Sequence, residues 1–392
     1  MKEVYISAPY RTAIGKFGGS LKDIPAPKLA GKIISAILEE TGVDPKKFDD
    51  VVIGNVLLAG EKMNPARQAA IFGGVDQTVP AMTVSRVCGS GAQAIISGAM
   101  EIQTDYAQMV IVGGMENMDQ APYLFLNGRY GARLGDSKIM DAVLYDGLND
   151  AFNGEHSGLI TDEYLVPRYA ITREEQDAFA YESQQKAARA IEEGRFKEQI
   201  VPIMVGKDVI FDTDEGIRKD TTLEKLSSLK PAFKEGGTIT AGNAPGLNSG
   251  AAMMILSTEE RLKEFNLPVY GKIVSYAVSA VDPNMFGIAP VAAIKSALDR
   301  ANLSIDDIDL FEINEAFAAI AIAIKRDLKI PEGRLNVNGG AVALGHPIGA
   351  TGAILTTKIL HELRRQGKKF GLVSLCIGGG QGIALIVESN SK

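Results

Sequence analysis

Tryptophan is absent from this 392-residue chain, cysteine occurs only twice and histidine three times. The two cysteines, Cys88 and Cys376, cannot form a disulfide framework, so the fold must rest on its core and a reducing, cytoplasmic setting is expected. No apolar run approaches the roughly 20 residues needed to span a bilayer. The longest, Ala316 to Ile324, lies between Glu315 and Lys325 and reads as a buried helix. A basic surplus is missing too: the net charge of −7 and pI near 5.3 argue against broad attraction to nucleic acid or a membrane surface. The N-terminus lacks the apolar core of a signal peptide, and Val4-Tyr5-Ile6 reads as a first strand.

What the chain has is apolar mass and a duplication. At 46% apolar and 23% charged it is an ordinary globular sequence, long enough for two or three cores. Leu29 to Thr41 has helical apolar spacing and leads through a Gly-Val-Asp-Pro turn to the strand-like Val51-Val52-Ile53. Ala289 to Ala301 repeats that helix 260 positions later, and Phe311-Glu312-Ile313 repeats the strand. Cys88-Gly89-Ser90-Gly91 opens a helix leading to the strand Met109 to Val112. His346-Pro347-Ile348-Gly349 likewise opens one leading to Leu372 to Leu375. Two copies of one strand-and-helix unit predict two similar α/β domains about a pseudo-twofold axis, with function between them at the strand ends. Asp119 to Pro245 belongs to neither copy. Its charge and turn content, with one amphipathic helix from Arg173 to Glu193, suggest an inserted lobe that covers a site.

Chemistry concentrates at matched loops. Cys88 precedes a glycine-rich helix start, where backbone N–H groups would favour the thiolate and ease its ionisation; the competing reading is a small buried hydrophobe. Gly89-Ser90-Gly91-Ala92-Gln93-Ala94 also fits the loose dinucleotide pattern, but the next strand ends in Val112-Gly113-Gly114 with no acidic residue for a ribose. His346 lies in a long glycine-rich loop and is the better candidate base, whereas His361 sits at helical spacing among polar residues and reads as solvated. Cys376 ends a strand before three glycines, whose N–H groups could form an oxyanion hole. Asn314, after the repeated strand, could hold a water or a carbonyl oxygen, or simply cap a helix.

Together Val87-Cys88-Gly89-Ser90-Gly91, Asn314-Glu315-Ala316-Phe317-Ala318, Gly345-His346-Pro347-Ile348-Gly349-Ala350 and Cys376-Ile377-Gly378-Gly379-Gly380 resemble the four signature blocks of the thiolase family. The resemblance runs essentially end to end. It implies duplicated α/β domains in an α-β-α-β-α stack: 1–118 with 246–268, an inserted loop domain at 119–245, and 269–392. It implies acyl transfer between coenzyme A thioesters through acetyl-Cys88, with acetyl-CoA, acetoacetyl-CoA and CoA as partners. His346 would take the Cys88 proton and Cys376 would exchange a proton with the substrate C2. Asn314 would hold an oxyanion-site water beside His346, and Gly378 would supply an oxyanion N–H with Cys88. No metal or redox cofactor is implied, and a homotetramer is.

Leu148 and His156 resemble the short-chain, acetoacetyl-CoA type, with broader-chain 3-ketoacyl-CoA cleavage as the alternative. The segment Ser157 to Glu163 is one residue longer than the short-chain pattern. Pro245 and Ser249 replace an expected serine and aspartate, and Phe286 an expected methionine. Arg218, Lys225 and Phe233 are carried over as contacts to the CoA nucleotide, and Ala241, Phe286, Ala316 and Phe317 as further substrate or CoA contacts. A non-catalytic acyl-CoA binder on the same fold is the rival of another class, and the intact Cys88, His346, Cys376 and Asn314 count against it.

Overall fold

The computed structural model describes residues 2–390. The first copy supplies β1 (Val4–Arg11), α1 (Ala26–Thr41), β2 (Asp50–Gly54), α2 (Pro65–Phe72), β3 (Met82–Val84), α3 (Ser90–Gln103) and β4 (Met109–Asn117). The insertion carries α4 (Arg173–Glu192), after which β5 (Asn248–Ser257) completes the first half. The second half holds β6 (Gly271–Ala280), α5 (Ala289–Ala301), β7 (Leu310–Ile313), α6 (Ala318–Leu328), α7 (Thr351–Gln366), β8 (Phe370–Ile377) and β9 (Gln381–Ser389).

The duplication read from the sequence is visible in how each element stops and pairs. Helix α1 ends at Gly42 and α5 at Asn302, both left-handed, 260 residues apart. Strand β2 runs parallel to β4, with Asp50 facing Val110, and β7 runs parallel to β8, with Leu310 facing Gly371. In each half an antiparallel pair follows, β4–β5–β1 and β8–β9–β6. Strand β3 flanks β2, and its counterpart has shrunk to a single parallel bridge between Phe311 and Leu335. The halves join through β1 and β6, where Val4, Tyr5 and Ile6 face Ile273, Lys272 and Gly271.

Helices α3 and α7 form the middle layer, burying Ile95, Ile102, Ile354 and Leu360 with side chains from both halves of the sheet. Helices α1 and α2 cover one outer face and α5 and α6 the other. This is the five-layer α-β-α-β-α stack that the sequence led one to expect. At the pseudo-axis the two central helices start against each other with no room for a side chain. A Cβ on Gly91 would lie 2.8 Å from Ala353 N, and one on Gly352 would lie 2.3 Å from Ala92 N. The repeat is offset by 261 residues here, so Gly349, and not His346, occupies the position equivalent to Cys88. The apolar run at Ala316 is helical from Ala318, and no helix among the described residues is long and apolar enough to cross a membrane.

The insertion is fastened to the core by buried polar pairs. Arg11, fully buried in β1, forms a two-pronged contact with Asp214 at 2.7 and 3.0 Å and donates to Gln199 at 2.7 Å. Asp214 also accepts from the Ile14 N–H. Removing one partner strands a buried charge, so Asp214→Ala is expected to destabilise the protein by about 3–5 kcal/mol. Urea unfolding measures this, and a loss within ~0.5 kcal/mol would show that the pair is not a fastening.

Candidate active site

Cys88 sits in the tight loop between β3 and α3. Val87 adopts φ of 43°, an unfavourable conformation for a β-branched residue. It is held there by its carbonyl, which accepts from Ser90 N and from Ser90 Oγ at 2.7 Å, while Ser90 Oγ accepts from Arg86 N. This twist turns Cys88 toward an enclosed space shared with Val56, Leu57 and Ile348. Burial pushes its thiol up to about 11 despite the Gly378 and Cys88 N–H groups, which favour the thiolate. The easy ionisation expected from the helix start is therefore corrected: desolvation outweighs the helix end.

His346 is fully set for proton acceptance. Its backbone N–H donates to Asn248 Oδ1 at 2.9 Å, and its Nδ1 lies 2.6 Å from Thr351 Oγ1. The Thr351 hydroxyl donates to Pro347 O, so its oxygen must accept from Nδ1–H, and Nε2 keeps its lone pair. Nε2 lies 3.4 Å from Asn314 Nδ2. Burial lowers the imidazole to about 4, which keeps it neutral near pH 7. Asn314 Oδ1 is buried and has no protein partner, which suits an acceptor for a bridging water.

Cys376 is buried in β8, and its thiol is raised by burial and by the neighbouring Cys88 sulfur. Past Ile377 the chain turns through Gly378, Gly379 and Gly380. The last two have φ of 83° and 88°, and a Cβ on Gly380 would lie 2.5 Å from Val281 O, so only glycine fits. The turn sets the Gly378 N–H where it favours the Cys88 thiolate.

Cys88, His346 and Gly378 open on a cavity of about 820 Å³, which Leu148, His156, Phe233, Phe286, Ala316 and Phe317 also line. Cys376 and Asn314 are buried beside Cys88 and His346 respectively. His156 stacks on Phe233 at 4.5 Å, and Phe233 meets Phe317 edge-on at 6.0 Å. The His156 Nδ1 accepts from Gly158 N, and a Cβ on Gly158 would lie 2.3 Å from the Phe233 ring. This segment, one residue longer than the short-chain pattern, contains a π-helical turn at Thr161–Leu165, which accommodates one more residue than an α-turn.

Three sequence-predicted contacts fall outside the cavity lining. Arg218 donates to Ala241 O at 3.4 Å on the exposed surface, and Lys225 pairs with Asp220. Pro245 lines the cavity, whereas Ser249 is buried against Asn117 and Asp119. His361 is not solvated: it is buried on α7 beside Tyr10 and Tyr270, and its Nε2 meets Pro9 O at 3.0 Å. Sequence reasoning missed Thr351, Asn248 and Glu116. Only Glu116 had a signal, inside Gly113-Gly114-Met115-Glu116-Asn117-Met118.

Known proteins resemble the chain over nearly all of its length. Residues 4–260 match the family model for the thiolase N-terminal domain and residues 267–389 that for the thiolase C-terminal domain. A probable acetyl-CoA acyltransferase of Staphylococcus aureus is 50% identical over 392 residues, covering 99% of each chain. The crystal structure of the Bacillus anthracis acetyl-CoA acetyltransferase superposes with a TM-score of 0.96 at 44% identity, covering 99% of each chain. That of human mitochondrial 3-ketoacyl-CoA thiolase in complex with CoA superposes with a TM-score of 0.96 at 42% identity, covering 99% of this chain and 98% of the other.

Proposed function

The chain belongs to the thiolase family, and we propose that it is an acetyl-CoA C-acetyltransferase joining two acetyl-CoA into acetoacetyl-CoA and CoA. The observation that carries this reading is the meeting of Cys88, neutral His346 and the Gly378 N–H at one cavity, with the Cys376 sulfur beside Cys88.

In the forward direction the Cys88 proton passes to His346 Nε2 as sulfur attacks the thioester carbon. The CoA–carbon bond breaks, and the departing sulfur takes the Cys376 proton. This leaves acetyl-Cys88, a Cys376 thiolate and an imidazolium. Cys376 then removes a proton from C2 of the second acetyl-CoA, and the new carbanion attacks acetyl-Cys88. The carbon–sulfur bond to Cys88 breaks, its sulfur recovers the proton from His346, and all three groups return to their starting states. Charge on the acyl oxygen is met by the Cys88 and Gly378 N–H groups. Charge on the enolate oxygen is met by His346 and a water held by Asn314. Leu148, His156, Phe286 and Phe317 confine the acyl end, and Phe233, Ala316 and Pro245 flank the arm. Arg218, Lys225 and Ala241 would meet the nucleotide end outside the cavity. A homotetramer in the cytoplasm, where both thiols stay reduced, completes the proposal.

A broader-chain thiolase is the second reading, supported by the cavity volume and by Ser157-Gly158 where the short-chain pattern places a bulkier side chain. A chain-length series separates the two. For the acetyltransferase, kcat/KM for acetoacetyl-CoA should exceed that for six- to ten-carbon 3-ketoacyl-CoAs by about tenfold or more, the scale on which a pocket discriminates methylenes. Comparable values would overturn it in favour of the broader enzyme.

A further inference from the structure

Glu116 is the penultimate residue of β4 and has no part in the proton transfers above, yet both of its carboxyl oxygens are held. It is fully buried and accepts four hydrogen bonds. Oε1 takes Asn55 Nδ2 at 2.8 Å and Leu57 N at 3.2 Å, and Oε2 takes Val56 N at 3.2 Å and Gly349 N at 2.9 Å. Every partner is an N–H donor, and these bonds favour the carboxylate against the burial that pushes the group up to about 7. Gly349 is the third residue after His346 and the positional equivalent of Cys88, and a Cβ there would lie 2.7 Å from Glu116 Oε2. Val56, Leu57 and Ile348 enclose Cys88. One carboxylate therefore ties together the loop carrying the base and the walls around the nucleophile.

We propose that Glu116 is a positioning residue: its buried carboxyl fastens the His346 loop through Gly349 and fixes the Val56 and Leu57 wall beside Cys88. This rests on the acyl-transfer reading for its purpose, since the proton passed from Cys88 to His346 needs both groups held in register. Glu61 faces Glu116 in turn, and burial and then Glu116 push it up to about 8.

The test is steady-state kinetics together with amide hydrogen exchange at the His346 loop, read by peptide mass spectrometry without substrate. In Glu116→Gln kcat should fall about 10²-fold while KM for acetyl-CoA changes little, because the base is misplaced and the binding cavity is not. Exchange in the peptide carrying Gly349 should speed up, whereas a general loss of the fold would speed every peptide. Asn55→Ala, which removes one of the four donors, should move both readouts the same way by less, and it decides the matter if Glu116→Gln does not fold. A kcat within about twofold of the wild type, or unchanged exchange at Gly349, overturns the proposal. Exchange needs no acetyl transfer, so failure of the enzymatic reading would leave this readout intact.

Discussion

Replacing Cys88 by alanine is expected to lower acetyl transfer by about 10⁴-fold or more, the scale seen when a covalent nucleophile is removed. The reason is local. The twisted loop at Val87 presents this sulfur to the cavity, where the Gly378 N–H favours its thiolate, whereas Cys376 is almost fully buried. Fold loss would not explain such a drop, because Cys88 is only partly buried and its side chain is small, so the melting temperature should stay within a few degrees. Steady-state assays in both directions check this. Retention of more than about a tenth of the wild-type rate would mean that acyl transfer does not pass through this residue.

The second large effect concerns His346. With the Cys88 thiol raised to about 11, only a minute fraction is ionised near pH 7, and turnover needs a base at the sulfur. His346→Ala should cost about 10²–10⁴-fold in kcat. The pH profile carries the sharper signature. Deprotonation of Cys88 supplies the nucleophile, so the variant's rate should climb about tenfold per pH unit toward 11. The wild type should instead be flat through neutrality and lose activity on the acid side, where His346 gains a proton near 4 and can no longer accept one. A variant with the wild-type profile would remove His346 from the proton path.

The duplication was legible because it is local: two helices with the same apolar spacing end in left-handed stops at Gly42 and Asn302 and lead to parallel strands. The glycine-rich blocks were legible because their glycines meet backbone or bulky neighbours, as at Gly91, Gly352 and Gly380. What the sequence hides is tertiary electrostatics. His361 looked solvated because Lys358 and Glu362 share its helix, but α7 is a central-layer helix and both neighbours are paired inside. Lys358 meets Glu312 at 2.8 Å, and Glu362 takes Asn338 and Arg365. The Cys88 thiol was misread for the same reason, since a helix start is local whereas the walls that desolvate the sulfur come from distant segments. The extra residue near Ser157 could be counted but not placed, because a π-turn leaves no mark of its own in sequence.

The central claim is that Cys88 receives the acyl group from coenzyme A, and trapping that intermediate tests it most directly. The protein is incubated with acetyl-CoA alone, quenched in acid, digested and mapped by mass spectrometry. A single acetyl group on Cys88, absent from Cys88→Ala and lost on adding CoA, is the predicted result. An unmodified Cys88, or an acetyl group carried by Cys376 in its place, would contradict the account.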